Sequence, residues 1–537
     1  MKKNLTILVC MFGLLHSAQA QNPTLAEGLH ALENDQFNLA KSTFMRLLNS
    51  DAITSAQAYY YLGSAYYKTG KIDSASIMAN KLNSLQPENP ITKIALGREA
   101  LFAKNPVEAK ANFDNAVTIT KGKGPLVYQL IGDAYLNSPM PEYKTAVEYL
   151  QKGIIGDKAA SDLYLLYGDA SKRDVNGGGT AATAYEKAVE LNSKVKGNHR
   201  LGILWTESRN METAINAFEA CINEDPTYVA AYRDMAEMYY LFKKYTQARD
   251  TYQKYLAAAD TTVENLTRYA YMLYQSKDYD NGIAVFNQLK QIDSTNNTLN
   301  RLEGYTLCEK KAWPEAVAAM EKFFAKTDPA KIIFLDYKYY GKALMENKQD
   351  SLAELNIQKA IAMDTTECDL YNDLGDVNMR LKRYEVAQGA YQKKMTCAGS
   401  QSAVDYFQLG KSFYFNDQFE TADSCFKKVI EIKPASSVGY FWSARALLYK
   451  KENNIDEANP MFEKYIEIIS PDPSKASKKE MVEAYLFKGK YNILKDDNAQ
   501  AKEFLTKALA IDAENKEALE LMDRITKDNA NREKKKQ

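Results

Sequence analysis

The sequence predicts an all-α protein in which pairs of helices repeat along the chain and stack into a solenoid. Three observations predict this fold. A small residue is followed twelve positions later by a second small residue, with one or two residues inserted in three of the repeats. The pairing recurs with a period of about 34 residues. The large apolar residues around each pair are spaced by three, four and seven positions, which places them on one face of a helix, so each period is predicted to be two amphipathic helices.

The small-residue pairs fill the chain after its first twenty residues and define repeats one to fourteen. They are Gly28 with Ala40, Gly63 with Ala75, Gly97 with Ala109, Gly132 with Ala146, Gly168 with Ala181, Gly202 with Ala214, Ala236 with Ala248, Ala270 with Gly282, Gly304 with Ala316, Gly341 with Ala353, Gly375 with Ala387, Gly410 with Ala422, Ala444 with Ala458, and Gly489 with Ala501. We expect these residues to lie where the two helices of a repeat cross, because only a small side chain lets two backbones approach closely.

The composition and the net charge argue against nucleic-acid binding and against a metal cluster. Hydrophobic residues make up 45% and charged residues 26% of the 537 residues, which is typical of a folded globular protein. Lys plus Arg and Asp plus Glu are both 69, so no net positive charge favours a nucleic-acid partner. Three histidines and six cysteines leave little material for a metal cluster.

The first twenty residues resemble a secretory signal peptide. Lys2 and Lys3 precede an apolar stretch over 5–15, and Ala18-Gln19-Ala20 fits a cleavage site. The alternative, a membrane anchor, needs about 20 apolar residues, more than this stretch offers. We therefore expect residues 1–20 to be removed, an exported chain that begins at Gln21 and is periplasmic in a two-membrane bacterium, and no integral membrane span.

The repeats resemble the tetratricopeptide repeat family over about residues 21–515. The first large position of the family pattern, often Trp, is occupied here by Tyr59, Tyr128, Tyr232, Tyr371, Tyr406, Tyr440 and Tyr485. The resemblance implies a right-handed superhelical solenoid of about fourteen helix pairs, with the first helix of each pair lining the inner face. Residues 516–526 have one apolar side and would form a capping helix, followed by a basic tail over 527–537.

No arrangement of residues in the sequence predicts catalysis or a cofactor. Gly410-Lys411-Ser412 lacks the preceding glycine of a phosphate-binding loop, and it falls inside a predicted helix. His30 and His199 belong to repeats one and six, and a solenoid is expected to bring only neighbouring repeats into contact. We therefore expect these histidines to lie far apart and no metal to be bound.

A partner-binding groove is predicted from the resemblance. Ligand contacts in peptide-binding members come mainly from positions two, five, nine and twelve of the first helix. These positions hold Tyr60, Tyr67, Arg233, Tyr240, Tyr271, Tyr274, Arg301, Tyr305, Lys342, Lys411, Tyr414 and Arg445. Tyr and Arg are enriched at binding hot spots, and the concentration in repeats seven to nine favours those repeats for docking. The alternative is that each tyrosine only packs within the core.

Two cysteines are candidates for a disulfide. Cys368 opens the first helix of repeat eleven and Cys397 follows its second helix, so both lie at the same end of an antiparallel helix pair. Export would permit a disulfide between them; the alternative is two unpaired thiols.

Together these features predict a non-enzymatic scaffold that binds a protein or peptide. An alternative is a component of outer-envelope assembly or secretion. An enzyme is the least favoured class, because no set of converging polar groups is recognisable. The sequence does not indicate an oligomeric state.

Overall fold

The computed structural model describes residues 23–293, 297–397, 399, 401–450 and 454–536. The predicted signal segment, residues 1–20, lies outside this range. Within the described residues the secondary structure consists of 29 α-helices and two short 3-10 turns, with no strand. None of these helices is both long and apolar enough to cross a membrane.

The chain divides into two compact units, Met1–Ser294 and Thr295–Gln537. The first unit contains repeats one to eight as sixteen helices. They are α1 Leu25–Glu33, α2 Phe37–Leu47, α3 Ala52–Lys68, α4 Ile72–Leu85, α5 Pro90–Phe102, α6 Pro106–Ile119, α7 Pro125–Leu136, α8 Tyr143–Gly156, α9 Ser161–Ser171, α10 Gly178–Glu190, α11 Lys194–Glu207, α12 Met211–Glu224, α13 Ala230–Leu241, α14 Tyr245–Leu256, α15 Val263–Gln275 and α16 Tyr279–Ile292.

The second unit contains repeats nine to fourteen and a last single helix. Its helices are α17 Asn297–Glu309, α18 Trp313–Lys326, α19 Phe334–Glu346, α20 Asp350–Met363, α21 Cys368–Arg380, α22 Tyr384–Met395, α23 Ala403–Phe415, α24 Phe419–Ile432, α25 Ser437–Tyr449, α26 Ile455–Ile469, α27 Lys478–Leu494, α28 Asn498–Ile511 and α29 Lys516–Lys536. The prediction of fourteen helix pairs is confirmed, and every predicted small-residue pair falls in the expected two helices.

The helices of a repeat are held together by one recurring contact. The small residue of the first helix lies against the side chain that follows the second helix's small residue by four positions. A Cβ atom built on Gly97, for example, would come within 2.4 Å of Phe113 Cε1, and one on Gly202 within 2.7 Å of Phe218 Cδ1. Both phenylalanines are fully buried. Glycine is therefore required here by the ring that packs onto its backbone, not by the partner alanine itself.

The turn between the two helices also recurs. The first helix of several repeats ends in a residue with a left-handed backbone, and this residue is Lys, Asp or Arg instead of the usual Gly. Lys104 has a φ of 61° and Arg209 a φ of 61°. In repeat three the amide of Asn105 then donates to Ala100 O at 2.8 Å, which satisfies a carbonyl at the helix end.

The end of the chain differs from its predicted boundary. A capping helix was expected over 516–526 with a tail after it, but α29 continues to Lys536. Ala518 and Ile525 on its apolar side are buried against the last repeat. The charged residues beyond Thr526 remain helical because Lys and Glu have high helix propensity.

Cys368 and Cys397 form a disulfide in the structure, with their Cα atoms 6.3 Å apart. The bridge joins the first residue of α21 to the second residue after the end of α22. The remaining described cysteines, Cys221, Cys308 and Cys425, are buried free thiols. Burial raises the pKa of Cys221 to about 12, so this thiol is protected from reaction in the folded chain.

The recurring glycine contact predicts opposite effects for two glycine substitutions. Gly97→Ala should lower the free energy of unfolding by about 1–3 kcal/mol, because the added methyl group displaces buried Phe113. Gly389→Ala is the matched control: it is also helical, but nothing lies within 4 Å of its Cβ position, so it should raise stability by about 0.5–1 kcal/mol. Urea unfolding followed by circular dichroism measures both. Equal shifts for the two variants would contradict the proposed contact.

Candidate functional site

The first helices of repeats one to six line a partly open cavity in the first unit, here called the first-unit cavity. Its volume is about 690 Å³, within the usual range of about 300–1,000 Å³ for ligand pockets. Each of α1, α3, α5, α7, α9 and α11 contributes side chains to its wall. The wall carries the following charged residues: Glu33, Lys68, Arg98, Asp133, Asp162, Asp169, Lys172, Arg173, Lys196 and Arg200.

Two ion pairs connect neighbouring parts of this wall, and a third joins a wall residue, Lys172, to Glu207 outside it. Lys196 Nζ lies 2.7 Å from Glu33 Oε1, Arg200 Nε lies 2.9 Å from Asp169 Oδ2, and Lys172 Nζ lies 3.0 Å from Glu207 Oε1. The Arg200 and Asp169 side chains are about three-quarters buried, so their interaction is less screened than that of a surface pair. These ion pairs hold neighbouring helices of the wall together. Other charged side chains of the wall take no part in these three pairs.

Arg98 is an unusual buried cation at the base of the cavity. The residue is 4% exposed and makes no ion pair with the described acidic side chains. Its guanidinium donates to Ser64 Oγ at 2.6 Å and Tyr60 O at 3.0 Å, and it lies 3.9 Å from the Tyr60 ring centroid. Aromatic faces and neutral acceptors therefore stabilise its charge.

The position of Arg98 follows from the repeat pattern. In repeat two the residue four positions after Ala75 is Ala79, where other repeats carry a large side chain. The Arg98 guanidinium occupies the space beside Gly63 instead, with Nη2 2.6 Å from where a Cβ would stand. Because Ala79 of repeat two is small, the guanidinium of Arg98 from repeat three can enter the space beside Gly63.

Asp133 supplies a carboxylate close to this cation. It accepts a hydrogen bond from Asn137 Nδ2 at 2.7 Å and from Tyr60 OH at 3.3 Å. Burial raises the pKa of Asp133 above its ordinary value, although the nearby positive charges of Arg98 and Lys68 act in the opposite direction. The cavity therefore presents both hydrogen-bond donors and acceptors to an occupant.

The cavity is closed on one side by contact between repeat one and repeats six and seven, including the loop after α14, here called the seam. Residues 30–38 of repeat one lie against 196, 225–234 and 255–260. The Asn34 side chain accepts from the Ala230 amide at 3.0 Å. The amide of Asn38 donates to Asp260 Oδ2 at 2.9 Å. Elements separated by about two hundred positions in the sequence thus form one wall.

Asp35 is the most connected residue of the seam. It has a left-handed backbone, with a φ of 57°, in the turn between α1 and α2. Its carboxylate pairs with the Arg233 guanidinium and accepts a hydrogen bond from Tyr255 OH at 2.9 Å. Its carbonyl oxygen accepts from the Asp260 amide at 3.2 Å. One turn residue therefore contacts both helices of repeat seven and the loop that follows them.

The expected separation of the two histidines is wrong. His30 Nε2 lies 3.1 Å from Asp225 Oδ2, and the rings of His30 and His199 both contact the Tyr228 ring, with centroids 6.1 Å and 5.3 Å away. Repeats one and six meet because the seam brings the start of the array against its later repeats. No group of three potential metal ligands occurs among the described residues.

Asp234 links His199 to the seam. His199 Nε2 lies 2.7 Å from Asp234 Oδ2, and Arg233 Nε donates to Asp234 Oδ1 at 2.9 Å. Burial opposes ionisation of Asp234, but Arg233 and His199 together hold its pKa below the ordinary value. Arg233, predicted to face a partner, is thus engaged on both sides by carboxylates of its own chain.

The remaining predicted groove residues of the first unit have different surroundings. Tyr60 is fully buried, and Tyr67 lines the first-unit cavity, where its ring stacks on Phe102 with centroids 3.7 Å apart. The Tyr240 ring lies 4.2 Å from the Arg268 guanidinium. Tyr271 and Tyr274 lie half-buried on α15.

The predicted groove residues of the second unit make contacts between adjacent repeats. Arg301 Nε lies 2.8 Å from the buried Asp336 carboxylate, and Tyr305 OH donates to the same carboxylate at 2.6 Å. Lys342 and Arg445 form similar pairs with the following repeat, Lys342 with Asp373 at 2.9 Å and Arg445 with Glu483 at 2.9 Å.

Lys411 and Tyr414 have aromatic surroundings. Lys411 Nζ lies 5.3 Å from the Trp442 ring, and Tyr414 is buried with its ring 5.3 Å from that of Trp442. The predicted strip over repeats seven to nine has Arg233, Tyr240, Tyr271 and Tyr274 in the first unit and Arg301 and Tyr305 in the second. It stays a prediction.

Sequence reasoning missed Lys68, Arg98, Lys196 and Arg200 as wall residues. Ala79 stands at a position where the other repeats have a large side chain. This difference could have indicated that another group fills the space beside Gly63. The seam had no comparable signal, because its polar residues resemble ordinary exposed turn residues.

Comparisons with known proteins agree with the repeated architecture. Two family models, both described as tetratricopeptide repeat, match residues 206–261 and residues 56–89, 406–436 and 482–515. A TPR repeat-containing protein of Methanocaldococcus jannaschii is 23% identical over 191 residues, which is 36% of this chain and 27% of that relative. This chain thus matches little more than a quarter of that relative's length.

Solved structures give similar matches. The C-terminal part of a TPR repeat-containing protein from Cytophaga hutchinsonii is 30% identical over 47% of this chain and 98% of that one, with a TM-score of 0.41. A tetratricopeptide repeat protein from Parabacteroides merdae is 13% identical over 48% of this chain and 99% of that one, with a TM-score of 0.34. The family-model matches fall on helix pairs that the repeat pattern had defined independently, and the chain therefore belongs to the tetratricopeptide repeat family.

Proposed function

We propose that this chain is a non-enzymatic scaffold that binds a protein or peptide partner, and that the first-unit cavity is its binding site. Members of the tetratricopeptide repeat family generally serve as protein-interaction scaffolds. The observation that carries the choice of site is the convergence of six first helices on one cavity of about 690 Å³. A concave site with a few directed polar groups is the usual form of a ligand pocket.

The chemistry of the wall suits a polypeptide segment. Gln129, Asn137 and Ser138 line the cavity together with Leu29 and Leu166. Amide and hydroxyl groups can pair with the N–H and C=O groups of a bound backbone, and the leucines can contact its apolar side chains. The cation of Arg98 and the carboxylate of Asp133 offer further directed contacts at the base.

Photo-crosslinking tests this site. A benzophenone amino acid at Gln129 should capture a partner in intact cells, because this position faces the cavity. The matched control carries the same group at Ile155, which is 77% exposed on a second helix, and should capture that partner much less. Mass spectrometry of the adducts identifies the partner. Equal capture at both positions, or capture at Ile155 alone, would exclude the cavity as the binding site.

We further propose that the chain is exported and acts outside the cytoplasm. The segment 1–20 has the order of charge, apolar run and small residues of a signal peptide, and the disulfide of Cys368 and Cys397 suits an oxidising compartment. A periplasmic place would allow the alternative role in envelope assembly or secretion, which the identity of the captured partner decides.

Intact mass of the protein from its native cells tests export and the disulfide together. The expected mass is that of a chain beginning at Gln21, lower by the two hydrogens lost when Cys368 and Cys397 are oxidised. Reduction should restore those hydrogens. A chain that retains residues 1–20 would contradict export, and a mass unchanged by reduction would contradict the bridge.

A further inference from the structure

We infer that a partner segment enters the first-unit cavity from the side, through the seam, and that repeat one closes behind it as a movable wall. This inference rests on the proposed function for the nature of the ligand. The movement of the wall is a property of the chain alone.

The seam forms one boundary of the cavity itself. Glu33 on α1 and Lys196 on α11 both line the cavity, and their ion pair spans the seam. Separation of these two side chains would therefore open the cavity laterally. A side opening matters for a protein ligand, because an internal segment of a folded partner has no free end to thread into a closed ring.

The seam contacts are mainly polar, whereas repeat one shares a buried apolar cluster with the repeats that follow it. The buried apolar residues of repeat one belong to the same cluster as those of repeats two to five. The clusters of repeats six to eight contain no residue of repeat one. Across the seam lie hydrogen bonds, ion pairs and the edge contact of His30 with Tyr228. These cross-seam partners are polar, so water can replace them when the seam opens.

The opposite side of repeat one supplies a hinge. Phe44 of repeat one stacks on Tyr61 of repeat two with ring centroids 5.9 Å apart, and the Ser55 hydroxyl at the start of α3 donates to Leu48 O at 2.7 Å. Because both contacts join repeat one to the neighbouring repeat two and lie away from the seam, they remain when the seam opens. Repeat one would then tilt away from repeats six and seven while staying attached to repeat two.

Thiol labelling at a cavity position tests the movement without any partner. The probe site is Gln129→Cys, and the reagents are iodoacetamide and a maleimide attached to a long polyethylene glycol chain. The same chain without this cysteine sets the background, since its remaining described free thiols are buried. The bulky reagent needs the side opening, and the small reagent does not.

The seam variant combines Glu33→Gln with Asp35→Asn and removes the two cross-seam ion pairs made by Lys196 and Arg233. Asn is chosen at 35 because it tolerates the left-handed backbone. The matched control combines Glu237→Gln with Asp278→Asn, which removes the pairs with Arg268 and Arg249 elsewhere in the first unit. We expect the bulky reagent to react about tenfold faster in the seam variant and at the original rate in the control. The small reagent should react equally in all three.

If the double variant unfolds, a single substitution at the seam and a measurement of amide hydrogen exchange can still test the movement. Tyr255→Phe removes only the hydroxyl that donates to Asp35, and hydrogen exchange then reports the seam amides of Ala230 and Asn38. Faster exchange at these two amides, with unchanged exchange in α7, supports the movable wall. The movable wall would be contradicted if the seam variants react with the bulky reagent at the rate of the control and also exchange their seam amides at the rate of the control. Because no partner is present, that result would leave the photo-crosslinking test of the cavity unaffected.

Discussion

The structure depends on one packing contact that recurs in nearly every repeat. A small residue on the first helix receives a large buried side chain from the second, as Gly97 receives Phe113 and Gly375 receives Tyr391. The contact fixes how closely the two helices approach and directs the first helix towards the inner face. Because the two helices pack in the same way in successive repeats, the first helices of repeats one to six can converge on a single cavity.

A departure from that contact creates the chemistry of the cavity. Where Ala79 leaves a space beside Gly63, the Arg98 guanidinium fills it and is stabilised by Tyr60 and Ser64. The buried cation then lies near Asp133, whose pKa is raised by burial. A single small residue in the core thus changes an apolar interior into one with opposite charges at its base.

The sequence predicted what depends on local periodicity and not what depends on distant repeats. Gly202 and Phe218 could be assigned to two facing helices because their spacing recurs along the chain. The Asp35 contacts with Arg233 and Tyr255 could not, because they join positions about two hundred residues apart and follow from accumulated small rotations between repeats. For the same reason, Arg301 looked available to a partner, although it pairs with Asp336 of the next repeat.

The closure of repeat one onto repeat six is the feature on which the cavity depends, and carbodiimide coupling tests it most directly. This reagent joins a carboxylate to an amine already in contact. Glu33 and Lys196, 2.7 Å apart, should be coupled in the folded chain as readily as the reference pair Glu207 and Lys172, 3.0 Å apart. Peptide mapping detects both products. Coupling of the reference pair without any product linking Glu33 to Lys196 would contradict the closed wall.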